Sequence, residues 1–195
     1  MKKFFASLLA VLCCSASIYA DDVAEVKRVI VKDYELVLKG DYAGVLALRA
    51  PDFEQVCADG ETISYTQTKW MFLLLDGKHP AEFWLLAYYL RAKRAMPSEA
   101  QQAVIREKAS AAKYREIYEM ALPELLASVK REAELELKTL KFVDVKVDGD
   151  RAVAEIEYES RTESSGAIER KSERSFLRRE NGAWRFYRSV VKDRK

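Results

Sequence analysis

Residues 142–191 read FVDVKVDGDRAVAEIEYESRTESSGAIERKSERSFLRRENGAWRFYRSVV. Short apolar runs alternate here with polar residues, and turn sequences separate them, which is the pattern of an antiparallel meander. The predicted strands cover residues 142–147, 152–161, 169–179 and 184–191. The predicted turns between them are Asp148-Gly149-Asp150, Ser164-Ser165-Gly166 and Asn181-Gly182. Because helical sequence precedes this meander, we expect an α+β fold.

The sequence ahead of the meander is mostly helical. Asp22 can cap a first helix, with Glu25 three residues on; apolar residues between positions 26 and 38 then recur at helical spacing, and Gly40 is suited to end that helix. Strands are predicted over 52–58 and 61–64, and a helix that ends at Gly77 follows. We expect more helices between 78 and 137: an apolar one over 83–90, a polar one after Ser98 and another starting at Pro123.

The first twenty residues have the pattern of a secretory signal peptide. Lys2 and Lys3 precede an apolar run over 4–12, and Ala20 is a small residue before the expected cleavage point. The run is too short to span a bilayer comfortably. Lipid attachment at Cys13 or Cys14 is the alternative. We therefore expect secretion to the periplasm, no stable membrane insertion after cleavage, and a single domain over residues 21–195 with a helical insertion at about 78–137.

Charge and cysteine content narrow the function classes. The chain has 33 Lys and Arg against 31 Asp and Glu, and this balance argues against general binding of nucleic acid. Residues 161–195 are locally basic, which fits either a solvated sheet face or a site that attracts an anion. After signal cleavage only Cys57 remains, so no internal disulfide can form, and we expect a buried thiol.

Three segments resemble the nuclear transport factor 2-like superfamily, whose fold is also described as the cystatin-like or polyketide-cyclase-like α+β cone. They are KGDYAGVLALRAPDF, from Lys39 to Phe53, VKVDGDRAVAEIEYESR, from Val145 to Arg161, and ERSFLRRENGAWRFYRSVV, from Glu173 to Val191. The resemblance implies a bent antiparallel sheet that wraps around the first helix and encloses an apolar pocket. By the same resemblance, the proteins to be compared with this chain include isomerases, dehydratases, SnoaL-like cyclases and pure binding modules. Many proteins of this superfamily form dimers through the sheet.

Aromatic residues on predicted inward faces are the candidate walls of that pocket. Arg174 joins them as a candidate holder of a carboxylate or phosphate, if its strand face is the concave one. Ordinary core packing is the alternative for each aromatic residue, and a surface position is the alternative for Arg174. The candidate ligand-binding residues are Tyr34, Phe53, Tyr65, Trp70, Tyr158, Arg174 and Trp184.

Chemistry in the pocket would need an acid or base. Asp33 and Tyr34 on the first helix, and Asp52 and Glu54 on the first strand, are the candidates by analogy with enzymes of the superfamily. Asp52 and Glu54 point away from Phe53 by strand periodicity, so we expect them to face solvent. No catalytic residue is therefore assigned.

Metal and cofactor sites are not expected from the residues present. His79 is the only histidine, and with Cys57 it cannot supply the ligand set of a zinc or iron site. The mature sequence has no glycine-rich phosphate loop and no nucleophile motif. We expect His79 to be an exposed loop residue or to lie at a helix entry.

The sequence favours a secreted, non-enzymatic module that binds a small apolar or anionic molecule. Two alternatives stay open: an acid/base lyase or isomerase that uses the cone pocket, and a protein-interaction module that uses the helical insertion. The interaction module would have a filled cone and an exposed apolar patch near Trp84. A homodimer is compatible with all three interpretations.

Overall fold

The structure is a computed structural model that describes residues 2–92, 95–161 and 166–193, with side chains from residue 21 onward. The predicted turn at Ser164 and Ser165 lies outside the described residues. The helices are α1 (Lys2–Lys39), α2 (Tyr42–Ala47), α3 (Tyr65–Leu73), α4 (Pro80–Arg91), α5 (Glu99–Ala109) and α6 (Ala112–Thr139). The strands are β1 (Arg49–Val56), β2 (Thr62–Ser64), β3 (Lys141–Asp148), β4 (Arg151–Arg161), β5 (Ile168–Glu180) and β6 (Ala183–Asp193). The α+β class and the four-strand meander are thus confirmed.

All six strands form one sheet in the order β2-β1-β6-β5-β4-β3. The neighbouring pairs are antiparallel except for β1 and β6, which run parallel. The antiparallel sheet that the resemblance implied is therefore wrong for this one pair. A parallel pair needs a long connection, and the chain between β1 and β6 is long, since it contains β2, α3 to α6 and β3 to β5.

Irregular pairing bends the sheet at three places. The register shifts between Arg49 and Glu54 on β1, near Val143 on β3, and near Tyr187 on β6. Such bulges bend a strand and increase its local twist. The sheet therefore curves into the predicted cone.

Helix α1 lies against the concave face of the sheet. Val26 and Ile30 on this helix are buried against a cluster of inward sheet residues. The buried sheet residues of this cluster are Phe53, Val147, Ala152, Ala154, Ile156, Tyr158, Leu177, Trp184 and Phe186. The apolar stripe of α1 and the alternation of β4 thus make one core, as the sequence predicted.

Helix α1 starts earlier than the sequence predicted and ends where it predicted. It begins at Lys2 and passes through Asp22, so Asp22 is not an N-cap here and instead pairs with Arg179. It ends at Lys39, and Gly40 follows with a φ of 74°. Asp41 then caps α2 by accepting a hydrogen bond from the Gly44 amide at 2.9 Å.

The helices between β2 and β3 differ in detail from the prediction. Two helices, α5 and α6, replace the single polar helix that was expected up to residue 122, and the break falls at Ser110 and Ala111. No Gly or Pro marks that break in the sequence. Helix α6 also runs through Pro123 instead of starting there, so an exposed position of the helix lacks one backbone hydrogen bond.

The apolar helix α4 is covered on most of its circumference. Trp84 makes edge contacts with Phe83 and Tyr114 and donates a hydrogen bond to the Tyr114 carbonyl at 3.3 Å. Leu85 is fully buried, whereas Leu90 is 57% exposed. Within the described residues, no helix is both long and apolar enough to cross a bilayer.

Candidate functional site

A cavity of about 810 Å³ opens between α1, α6 and the concave face of the sheet. This volume lies within the range of roughly 300–1,000 Å³ that is usual for small-molecule sites. Much of the wall is apolar, and its side chains come from α1, α3, α6 and the sheet. Apolar wall residues are Ile30, Val37, Phe53, Phe72, Ile156 and Phe186. The cone is therefore hollow.

Glu173 on β5 lies in the cavity wall and is held by three hydroxyl groups. Ser175 and Ser189 donate to its Oε1 at 2.6 and 2.8 Å, and Tyr158 donates to its Oε2 at 3.3 Å. Both serines are buried. Hydroxyl donors of this kind compensate the desolvation of a carboxylate, so Glu173 is a fixed acceptor in the wall.

Glu136 on α6 faces the same space. Burial, reinforced by the negative charges of Glu132 and Glu173, raises the pKa of Glu136 to about 8. A hydrogen bond from Ser160 acts in the opposite direction, and Asp33 adds to the increase. At pH 7 most Glu136 side chains therefore carry a proton, which makes this residue a neutral hydrogen-bond donor.

Glu132 lies one helical turn before Glu136. Its Oε1 accepts hydrogen bonds from the Ser160 hydroxyl at 2.7 Å and from the Arg161 amide at 2.6 Å. These two bonds join α6 to the end of β4. They place a second carboxylate of the helix at the cavity.

Asp33 and Arg49 form an ion pair that joins α1 to β1. The guanidinium donates to both carboxylate oxygens, at 2.8 and 3.0 Å, and also to the Val45 carbonyl at 2.8 Å. It lies over the rings of Phe72 and Phe53, at 5.1 and 5.4 Å from their centroids. The positive charge of Arg49 is therefore already compensated by Asp33.

The two tyrosines of the wall are neutral. Burial is the main cause that raises the pKa of Tyr34 well above 10, and the charges of Glu173 and Glu136 add to it. The same causes raise the pKa of Tyr158. Each ring therefore presents a protonated hydroxyl, and that of Tyr158 is engaged by Glu173.

Three of the seven residues that the sequence predicted to bind a ligand line this cavity. They are Tyr34, Phe53 and Tyr158. Tyr65 instead packs against the main core, and Trp70 is buried in a separate cluster with Leu85 and Tyr89.

The other two predicted residues lie away from the cavity as well. Trp184 is 2% exposed, and the Arg179 guanidinium covers its ring at 4.5 Å. Arg174 lies on the outer face of β5 and pairs with Glu155. The concave face of β5 carries Glu173 and Ser175, so the face on which Arg174 was considered is the convex one.

Of the acid/base candidates, the two on α1 line the cavity and the two on β1 do not. Asp33 faces the cavity, whereas Asp52 and Glu54 are exposed outside it, as strand periodicity predicted. Asp52 forms a bidentate pair with Arg178 at 2.7 and 2.8 Å.

The two metal-ligand types considered from the sequence lie apart from the cavity. His79 precedes α4 and lies 3.3 Å from Asp76. Cys57 is half-buried at the end of β1, so the expected buried thiol is only partly enclosed. Among the residues that the structure describes, no group of three His, Cys, Asp or Glu side chains is placed to hold a metal ion.

Sequence reasoning missed the polar part of the site. Glu132 and Glu136 continue the helical spacing of Leu125 and Val129, so two acids within an apolar stripe were the available signal. Ser189 gave no signal, because strict alternation from Trp184 places it on the outer face. The bulge at Tyr187 reverses that alternation and turns Ser189 inward.

Comparisons with known proteins bear on the fold. No protein-family model matches the sequence, and no curated protein matches it significantly. Solved structures do match. An NTF2-like protein with a cystatin-like fold from Novosphingobium aromaticivorans has a TM-score of 0.49 and 16% identity, over 93% of this chain and 87% of that one.

Two further solved structures are similar over most of this chain. An NTF-2-like protein of unknown function from Silicibacter pomeroyi has a TM-score of 0.44 and 14% identity, over 90% of this chain and 98% of its own. A ketosteroid isomerase-like protein from Erwinia carotovora atroseptica has a TM-score of 0.43 and 10% identity, over 89% and 97%. The chain is thus similar to these three solved structures over most of its length, at low sequence identity.

Proposed function

We propose that this chain is a non-enzymatic, secreted module that binds a small molecule in the cavity of the cone. The observation that carries the proposal is the cavity itself, which has about 810 Å³ of space and a wall that combines apolar side chains with converging polar groups. A protein that used only its surface would gain stability by filling this space with side chains.

Of the two ligand classes expected from the sequence, the cavity favours the apolar one. The basic residues of the last two strands are held outside: Arg178 pairs with Asp52 and Glu180, and Arg179 pairs with Asp22 and Glu25. Inside, Arg49 is compensated by Asp33. An anion would therefore meet acidic groups inside the cavity, while the described cations of its wall are either paired, as Arg49 and Arg131 are, or exposed at the mouth, as Arg161 is.

Binding of a neutral fluorescent probe tests this proposal. We expect N-phenylnaphthylamine to bind the protein with an increase in fluorescence, because it would enter an apolar space. Ser128 is an exposed residue of the cavity mouth on α6, so Ser128→Trp should narrow the entrance without disturbing the core.

The matched control is Lys130→Trp, an exposed position of the same helix that does not line the cavity. We expect Ser128→Trp to weaken probe binding at least about tenfold and Lys130→Trp to leave it unchanged. Equal binding by both variants would show that the probe sits elsewhere and would contradict the proposal.

Acid/base catalysis in the same cavity is the second candidate. The specific observation that favours it is Glu136, a carboxyl group with a pKa raised to about 8 close to the neutral hydroxyl of Tyr158. A catalytic Glu136 would exchange a carbon-bound proton of a ketone for deuterium in heavy water. Exchange that Glu136→Gln abolishes would replace the binding proposal with this one.

Export and association belong to the proposal as expectations from the sequence. We propose that residues 1–20 direct the chain to the periplasm and are removed, and that the mature protein can form a homodimer. Cell fractionation with N-terminal sequencing tests the first, and sedimentation at several concentrations tests the second. The surface of α4 gives less support to a partner role than the sequence did, because Trp84 is half-buried and Leu90 is the exposed large apolar residue of this helix.

A further inference from the structure

The cavity contains more acidic than basic groups, and this asymmetry indicates what charge its ligand carries. Four carboxylates line it: Asp33 from α1, Glu132 and Glu136 from α6, and Glu173 from β5. They come from three different elements and converge on one space. Such convergence is unfavourable for the empty protein, because like charges at short range repel each other in a poorly solvated site.

Of these four acids, the basic residues of the wall compensate only Asp33. Among the described residues, the cavity is lined by Arg49, Arg131 and Arg161. Arg49 is committed to Asp33. Arg131 is exposed and pairs with Glu124 at 2.9 Å, and the side chain of Arg161 is exposed at the end of β4.

The groups that face Glu136 are acidic or neutral. From its own helix Glu132 faces it, from α1 Asp33 and Tyr34, and from β5 Glu173. The residues of β4 at this site are Tyr158 and Ser160, which are neutral, and Arg161 at the mouth. Burial, reinforced by these negative charges, therefore keeps Glu136 protonated at neutral pH. A cation brought into the cavity would favour the ionised form by pairing with it.

We infer that the ligand is an organic cation, an ammonium group on an apolar body, which enters between Glu132, Glu136 and Glu173 and displaces the proton of Glu136 into solvent. This inference rests on the proposed binding function and specifies its ligand class. The exchange balances: a protonated Glu136 and a free ammonium ion become a carboxylate–ammonium pair and one released proton. The apolar body would lie against Phe53 and Ile156.

Three probes that share one apolar body test the charge. They are phenethylamine, phenethyl alcohol and hydrocinnamate, which present a cation, a neutral hydroxyl and an anion. Calorimetric titration at pH 7 should show phenethylamine binding at least about tenfold more tightly than the alcohol, with hydrocinnamate weakest. The same titrations in phosphate and in MOPS give the number of protons released, because their heats differ by that number multiplied by the difference in ionisation enthalpy of the two buffers.

The pH dependence follows from the protonation of Glu136. We expect phenethylamine to release close to one proton at pH 7 and less as the pH rises above 8, where Glu136 is already ionised in the free protein. Its affinity should rise from pH 6 to pH 9 for the same reason. The neutral alcohol should show neither effect.

Glu136→Gln isolates the contribution of this residue. We expect this variant to lose the proton release and the rise in affinity with pH when phenethylamine binds. Glu134→Gln, at an exposed position on the same helix, should behave as the unmodified protein. Because Glu136→Gln removes a buried acid, folding should not suffer.

Two results would overturn the inference: the alcohol binding as tightly as the amine, or the amine binding without proton release. The binding function would survive either result if the alcohol or N-phenylnaphthylamine still bound and Ser128→Trp still weakened that binding. If the amine and the neutral probes all failed to bind, the cation inference and the proposed function would fail together.

Discussion

Glu136 connects the charge of the cavity to the stability of the protein. Its pKa is raised to about 8 in the folded state, whereas an unfolded chain leaves a glutamate near 4.3. The folded protein therefore binds a proton more tightly than the unfolded chain. Stability from this group is fully present below about pH 4 and decreases as the pH rises towards 8.

We expect Glu136→Gln to stabilise the protein at pH 8 by about 1–2 kcal/mol, after allowance for solvent in the cavity. At pH 4 the variant should match the unmodified protein, because Glu136 is then protonated in both states. Urea denaturation at pH 4, 6 and 8 measures the difference, with Glu134→Gln as the exposed control. A stability gain that is the same at every pH would argue against a raised pKa.

Asp33 and Arg49 form an ion pair in the wall of the cavity. Their side chains are only 19% and 11% exposed, so this pair is not an ordinary surface ion pair. Arg49 has in addition a buried Nε without a hydrogen-bond partner among the described residues. Removal of Asp33 would leave a poorly solvated cation in place.

We expect Asp33→Asn to destabilise the protein by about 3 kcal/mol, because Arg49 loses its compensating charge. Asp33→Asn combined with Arg49→Met should recover part of that loss, since no unpaired cation then remains. A double-mutant cycle in urea measures the coupling. Additive effects of the two changes would show that the pair is energetically irrelevant.

At the scale of elements, helix α6 shows where prediction from sequence succeeds and where it stops. Pro123 was interpreted as a helix start, which is its common position, yet α6 passes through it. A proline inside a helix lacks the amide that would bond to the carbonyl four residues earlier, at Glu119. The helix therefore carries a local defect at an exposed position.

We expect Pro123→Ala to stabilise the protein by about 1–3 kcal/mol, because it restores a helical hydrogen bond and removes a steric clash. Pro80→Ala is the matched control. Pro80 occupies the first turn of α4, where its missing amide has no helical partner, so that change should have little effect. Thermal unfolding measures the stability of both variants. A loss of stability in Pro123→Ala would contradict this expectation.

The strands were predictable because their signals are local. Alternation located β4, and the Asp148-Gly149-Asp150 and Asn181-Gly182 turns separated the strands. The bulges were not predictable, since they depend on the pairing partner. Bulging at Val143 leaves this residue 56% exposed although its neighbours in the alternation point inward.

The same limit applies to the site. Tyr34, Phe53 and Tyr158 could be identified because apolar periodicity marks the inward face of each element. Glu173 could not be identified in this way. The sequence does not tell which face of β5 is concave, because that depends on how the whole sheet curves. Acidic residues at inward positions break the rule that inward positions are apolar. Positions that break this rule are candidates for a functional site.

At the scale of the whole molecule, the cone explains why the cavity exists. The bent sheet and α1 meet in a packed core at Val26 and Ile30, and they separate towards the far end of the helix. Helix α6 closes that end only partly and contributes Glu132 and Glu136 to the opening. The helices that follow β2 thus give a common fold its particular cavity.

Native mass spectrometry of the protein recovered after export tests the central claim, that a small molecule occupies this cavity. We expect a discrete extra mass that is lost on denaturation, that is absent from Ser128→Trp and that is retained by Lys130→Trp. A bare chain in the unmodified protein, or an extra mass retained equally by both variants, would contradict the account.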